Sequence, residues 1–270
     1  MSRRGKAGAR PSARPSGALG GGAHWLWGVH PVLAALGNER RRCRRLLATG
    51  AAQEAHAARL APLLARRGLA AETVERAGLD QTLPAGAVHQ GLALAVEPLA
   101  EAHIEDLADA ALGRDPAAVV VLDQVTDPQN LGAVLRSAAA FGALGVVATD
   151  RHAPAETGAL AKAASGALER VMLARVTNLA RALDELKREG FWIVGLDARA
   201  PVALAGAKLA GRVALVLGAE GEGMRRLTRE RCDLLVRLPQ SDAVESLNVS
   251  NAAAVALYEL VRTKPDEGSA

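Results

Sequence analysis

Three stretches of this 270-residue chain concentrate small polar and charged side chains just after apolar runs. The first is DQVTDPQNLGAVLRSAAAFGA, where Asp127-Pro128 makes a turn, Asn130 is placed to cap the helix that follows and Gly132 sits in its first turn. Leu131, Val134, Leu135, Ala138 and Phe141 form the apolar stripe of that helix, and Arg136 lies off the stripe, free to project toward a ligand. A capping asparagine and a surface arginine account for Asn130 and Arg136 equally well when each is taken alone.

The second stretch is GAEGEGM, residues 218–224, with glycines at 218, 221 and 223 that let main chain come close to a ligand. Its order does not match the dinucleotide fingerprint G-x-G-x-x-G, and no Lys-Ser/Thr pair makes a P-loop. Glu220 inside the loop would repel a phosphate, so a ligand without phosphate or with positive charge fits better. S-adenosylmethionine has both properties, although a structural turn explains a glycine-rich loop too.

The third is LPQSDAVESLNVSNAAAVALYELV, whose helix opens with Ser246, Asn248, Ser250 and Asn251, several hydrogen-bonding side chains where most helices carry one cap. Ser246 could serve as that cap. Ala253, Ala254, Leu257, Leu260 and Val261 continue as a stripe suited to packing or to a dimer face. No histidine occurs in the three stretches, which disfavours an imidazole base.

These stretches need strands and helices to hold them. Residues 118–262 alternate: strands at 118–122, 144–149, 171–176, 191–197, 213–218 and 233–238, with helices at 130–141, 158–168, 178–189, 224–231 and 247–262. Near-continuous apolar strands of this kind are those of a parallel sheet covered on both faces. Asn178 caps the helix at 178 and Gly190 stops it. Ligands of such sheets bind beyond the carboxyl ends of the strands, where all three polar stretches lie. Residues 24–98 read as a small α/β domain: HWLWGVHPVLAAL introduces a helix, RRRCRRLLATG a basic edge and a strand, AAQEAHAARLAPLLARRG a helix closed by Gly68, and HQGLALAVEPL a strand. Residues 1–23, basic and rich in Gly, Ser and Pro, read as a disordered arm, 99–117 as a linker with some helix, and 263–270 as a tail.

Composition narrows the class. Residues 1–100 hold 14 Lys/Arg against 6 Asp/Glu, whereas the remainder holds 19 against 23. Positive charge gathered at the front suits a nucleic-acid partner, or reflects arginine on solvated faces. No apolar run approaches the length of a membrane span, and no signal peptide is apparent. Cys43 and Cys232 lie far apart without metal-ligand spacing, which suits reduced thiols in a cytoplasmic protein and no metal site.

In order and spacing, DPQNLGAVLRSAAAFGA, LVLGAEGEGM and LPQSDAVESLNVSNAAAVAL resemble the three signature motifs of the SpoU (TrmH) class of SPOUT methyltransferases. Residues 25–98 resemble that class's RNA substrate-binding domain, and HPVLAAL with HQGLALAVEP is most similar to its bacterial 23S rRNA guanosine 2′-O-methyltransferases. The resemblance implies a C-terminal trefoil-knotted parallel-sheet domain, a homodimer formed through it, and S-adenosylmethionine held largely by main chain, with Gly218, Leu238 and Leu247 as contacts. Asn130, Arg136, Glu220, Ser246 and Asn248 match the class's polar active-site set.

The implied reaction is methyl transfer to a ribose 2′-hydroxyl in RNA, an in-line displacement that needs oxygen, methyl and sulfur aligned and the hydroxyl proton removed. Arginine is an awkward base because guanidinium stays protonated, so Arg136 binds the hydroxyl and stabilises the developing alkoxide unless its environment is strongly altered. Few aromatics precede residue 118, which favours recognition of folded RNA shape over extended base stacking. A tRNA ribose methyltransferase would share every motif. A non-catalytic RNA-binding protein would need neither Arg136, Glu220 nor Asn248, and a nucleotide-dependent oxidoreductase would need the phosphate loop that residues 122–132 lack.

Overall fold

The computed structural model describes residues 22–151, 153–241 and 246–262; most of the expected arm (1–21) and the tail 263–270 lie outside the described residues. The front unit runs β1 (His24–Trp27), α1 (Val29–Gly37), β2 (Cys43–Ala48), α2 (Gly50–Ala55), α3 (Ala57–Arg67), β3 (Ala71–Thr73), α4 (Arg76–Thr82) and β4 (Leu92–Val96). Its sheet has the order β1-β4-β2-β3. β4 is central, antiparallel to both β1 and β2, and all five of its residues are buried. Two expectations need correction. HWLW is a strand rather than the approach to a helix, because it pairs along its whole length with β4 before α1 starts at Val29. The single helix expected before Gly68 is two, broken at His56, with Thr49 accepting from Ala52 N to cap the first.

The second unit contains α5 (Ile104–Ala111), β5 (Ala117–Asp123), α6 (Pro128–Ala140), β6 (Gly145–Thr149), α7 (Gly158–Ala164), β7 (Met172–Val176), α8 (Leu179–Arg188), β8 (Trp192–Leu196), β9 (Val202–Ala203), β10 (Arg212–Gly218), α9 (Arg226–Glu230), β11 (Leu234–Arg237) and α10 (Val249–Arg262). A 3₁₀ turn, Ala167–Glu169, follows α7. Seven strands lie in the order β7-β6-β5-β10-β8-β11-β9, and every adjacent pair is parallel. Strand alternation divides the core in two. Val120, Leu122, Leu215 and Leu217 face α6, α7 and α10, while Val119, Val121, Ala214 and Val216 face α5 and α8. Both faces are therefore dry, which is why these strands are apolar at every position. Truncating any of these fully buried leucines to alanine costs about 2–5 kcal/mol.

Segment 99–117 does more than connect. Ile104, Leu107, Ala108 and Ala111 of α5 are buried, three of them in the core shared with α8, and Ala102 bridges Ala174 of β7. The two units also meet through a polar pin. Arg41, fully buried, ion-pairs with Glu156 and sets Nη2 2.5 Å from Glu169 Oε1. Its Nη1 also donates to Glu97 O at 2.8 Å, and Asn38 Nδ2 donates to Glu169 Oε2 at 2.7 Å. A guanidinium with this many acceptors is a satisfied buried charge.

Candidate active site

The carboxyl ends of β5 and β10 lie side by side, with Asp123 in register with Gly218. Strand order reverses there: β6 and β7 extend to one side of β5, and β8, β11 and β9 lie beyond β10. This is where open parallel sheets bind ligands.

Three of the expected residues converge at this point. Asn130 Nδ2 donates to Glu220 Oε1 at 3.1 Å, Asn248 Nδ2 donates to the same oxygen at 2.6 Å, and Val249 N approaches it at 3.3 Å. Asn248 Nδ2 also donates to Asn130 Oδ1 at 2.9 Å. The loops after β5, β10 and β11 are thereby tied together by one carboxylate oxygen. Among the described residues Glu220 Oε2 has no hydrogen-bond donor, and the side chain is exposed.

Local sequence explains the placement and corrects two capping expectations. Asp127, not Asn130, caps α6, accepting from Gln129 N at 2.9 Å, with Pro128 at the first helical position. Asn130 is thus inside the first turn and free to reach Glu220. At α10, Asn248 takes the capping role open to Ser246: its Oδ1 accepts from Ser250 N at 2.9 Å and Asn251 N at 3.3 Å. Ser246 is exposed two residues earlier.

Arg136 is not drawn into this cluster. It lies six residues beyond Asn130 on α6, about 9 Å along the axis and about 120° around it. Its exposed side chain instead lines a groove with His30, Arg59, Ser165 and Arg170.

Gly218 ends β10, and a Cβ there would collide with the main chain of Gly223 and Met224, so the loop folds back over the strand end only because position 218 has no side chain. Leu238 follows β11 and packs against the core, and Leu247 is 37% exposed just before α10. The loop offers main-chain groups and the Glu220 carboxylate. The first arginine after it, Arg225, is held by Asp123. That set suits a sulfonium cation rather than a phosphate.

The Asp123–Arg225 pair is a feature the motifs did not reveal. Asp123 is fully buried, and its oxygens accept from Arg225 N at 2.9 Å and Arg225 Nε at 2.7 Å, clamping the far end of the glycine loop. The available signal was a lone acid closing an apolar strand, AVVVLD. The two cysteines are free thiols. Burial pushes Cys232 up to about 12 and also raises Cys43, so neither has nucleophile character. Among the described residues no group of three or more His, Cys, Asp or Glu side chains is arranged to hold a metal ion.

Of the expected stripe on α10, Ala253 and Leu257 are buried and Ala254, Leu260 and Val261 are half-buried, whereas Val255 and Tyr258, outside that stripe, are 48% and 54% exposed. Tyr258 meets Phe141 edge-on at 6.1 Å.

Comparison with known proteins identifies the family. Residues 117–258 match the SpoU rRNA Methylase family, and residues 25–102 match a domain described as RNA 2'-O ribose methyltransferase substrate binding. The chain is 41% identical over 239 residues to the 23S rRNA (guanosine-2'-O-)-methyltransferase RlmB of Escherichia coli K12, covering 88% of this chain and 98% of that protein. It is likewise 41% identical to the protein of the same name from Vibrio vulnificus, covering 89% and 97%. Among solved structures, the SpoU methyltransferase AviRb from Streptomyces viridochromogenes, in complex with AdoMet, superposes with a TM-score of 0.75 at 25% identity, covering 89% of this chain and 90% of that one. With three polar motifs joined at the switch point of a parallel sheet and a family match over more than half its length, the chain belongs to the SpoU rRNA methylase family.

Proposed function

We propose that the protein transfers the methyl group of S-adenosylmethionine to the 2′-hydroxyl of a guanosine ribose in 23S rRNA. The observation that carries this reading is the Asn130–Glu220–Asn248 cluster at the paired ends of β5 and β10. Identity to the RlmB proteins over nearly their whole length supports the RNA and the nucleotide.

Bound S-adenosylmethionine supplies an electrophilic methyl group on a sulfonium. Main chain at Gly218, Leu238 and Leu247 holds that cofactor, and Glu220 complements its positive charge. Asn130 and Asn248 fix Glu220 through one oxygen, which leaves the other for the ligand. Ser246, on the approach to α10, adds a hydroxyl at the rim. Arg136 reaches the ribose from the groove side of α6 and stabilises charge developing on the 2′-oxygen as its proton passes to a separate acceptor, a contribution that preorganised donors make without reorganisation. The target ribose thus sits between the cluster and Arg136, and residues 24–98 hold the surrounding RNA while 118–262 carry out transfer. We read the active form as a cytoplasmic homodimer joined through the knotted part of the second unit, a reading that the outward Val255 and Tyr258 support.

The test is to map ribose methylation across rRNA and tRNA with and without the gene, and to repeat the transfer with purified protein and radiolabelled methyl donor. One 23S guanosine should lose its 2′-O-methyl group in the deletion and regain it in vitro. Loss confined to a tRNA position would overturn the choice of RNA.

A further inference from the structure

The sequence places its densest positive charge at Arg40–Arg45, yet the structure spends most of that run internally. Arg41 is the buried pin, Arg42 and Arg44 face Glu97, and Arg45 pairs with Glu72 at 2.6 Å. The run is therefore largely neutralised by its own carboxylates and is a poor handle for an anionic polymer.

The unpaired charge lies elsewhere. A groove of about 310 Å³ runs along the seam between the two units, with His30 of α1 and Arg59 of α3 on one wall and Arg136 of α6 and Arg170 on the other. All four side chains are exposed, and among the described residues none of the three arginines enters a salt bridge and no acid lines the groove. Leu33, Leu63 and Ala139 give it an aliphatic floor. The seam stays closed because Gly166, at φ +92, has no side chain: a Cβ there would stand 2.9 Å from Ala34 Cβ of α1. A second cleft between the units, about 390 Å³, is larger, but its lining mixes Arg40, Arg170 and Arg175 with Glu101, Asp150, Glu156 and Glu169 and offers an anion no net advantage.

We propose that this groove is a phosphodiester-binding site, in which Arg59, Arg170 and His30 grip the RNA backbone next to the ribose engaged by Arg136. The proposal rests on the reading of the protein as an RNA ribose methyltransferase and adds where the strand lies. Several independent reasons favour RNA. Guanidinium groups take phosphate oxygens in bidentate fashion. The absence of acids lets the field of three arginines add rather than cancel. The aliphatic floor accepts the sugar edge, and the groove leads directly to Arg136. Because its walls come from both units, the substrate is gripped across the seam rather than by the front unit alone.

The experiment uses the full-length protein and an unmodified 23S rRNA transcript as the probe, with binding measured between 50 and 300 mM salt (roughly the range in which counterion release dominates). The variants are Arg59→Ala/Arg170→Ala and, as a charge-matched control, Arg181→Ala/Arg188→Ala on α8, whose arginines are exposed and face Glu185. The groove variant should bind at least about tenfold more weakly, and its salt dependence should be shallower by about 1.5 in log–log slope, the value for two lost phosphate contacts. Transfer at saturating RNA should stay within about twofold of the parent, so that the defect appears in KM. The control should change affinity by less than about twofold. An unchanged affinity and slope in the groove variant overturns the proposal, as does an equal loss in the control or a parent protein that does not bind the transcript. A parent that binds the transcript through the groove yet never methylates it leaves the groove standing and defeats the assignment of the RNA target.

Discussion

Asn248 Nδ2 lies 2.6 Å from Glu220 Oε1, while the Oδ1 of the same amide accepts from the first main-chain N–H groups of α10. One side chain thus both starts a helix and aims a carboxylate. The two roles can be separated. Asn248→Ser keeps a good cap but is too short to reach Glu220, so thermal stability should stay within about 0.5 kcal/mol. Methyl transfer should fall about 10- to 100-fold, the worth of a lost hydrogen bond to a charged group. Equal loss of stability and activity in a melting curve and a single-turnover assay would show that the residue acts only as a cap.

Arg225→Ala should leave Asp123 buried without its charge partner, at about 1–3 kcal/mol in urea unfolding. The main-chain N–H at 225 still donates to Asp123, so the far end of the glycine loop keeps one of its two tethers and loses the other. Cofactor affinity, measured by calorimetry, should weaken by about tenfold, whereas RNA affinity should not change. A variant with parental cofactor affinity would mean that the loop holds its shape without the pair.

Arg41→Ala removes the cation from between Glu156 and Glu169 and should cost about 3–5 kcal/mol. Adding Glu169→Gln to it should recover part of that loss in urea unfolding, because two facing carboxylates become one. No recovery would place the cost in packing rather than in charge.

The same junction carries a pH dependence. Burial lowers the pKa of His24 below its ordinary value, outweighing the attraction of Glu156 at 3.6 Å, and Arg41 adds to the lowering. The folded state therefore refuses a proton that the unfolded chain accepts near pH 6.5, so stability is complete above that pH and declines as pH falls below it. The slope contributed by one such group is at most about 1.4 kcal/mol per pH unit. His24→Gln should flatten the stability profile between pH 5 and 6.5, and an unaltered profile would assign the pH dependence to other groups.

Much of this was legible from residue order. Strands that stay apolar at both parities announced a sheet covered on two faces, and Asn130, Glu220 and Asn248 each follow such a strand, which put them at one sheet edge. The pairings that require tertiary context were not. HWLW is four residues long and too short to show a period, and α4 and β9 are similarly brief. Within RRRCRR nothing distinguishes Arg41 from its neighbours, because what buries it is a pair of glutamates more than 100 residues away. Arg136 lies off the core stripe as its position in the periodicity indicated, and its separation from the polar cluster follows from the six-residue spacing to Asn130 along one continuous helix.

With α5 built into the core and Arg41 locked between two carboxylates, the connection between the units offers no slack. On the proposed reading, this packed junction sets the spacing between the grip on the strand and the point of transfer, so a change of target would require recutting the seam rather than lengthening the chain that crosses it.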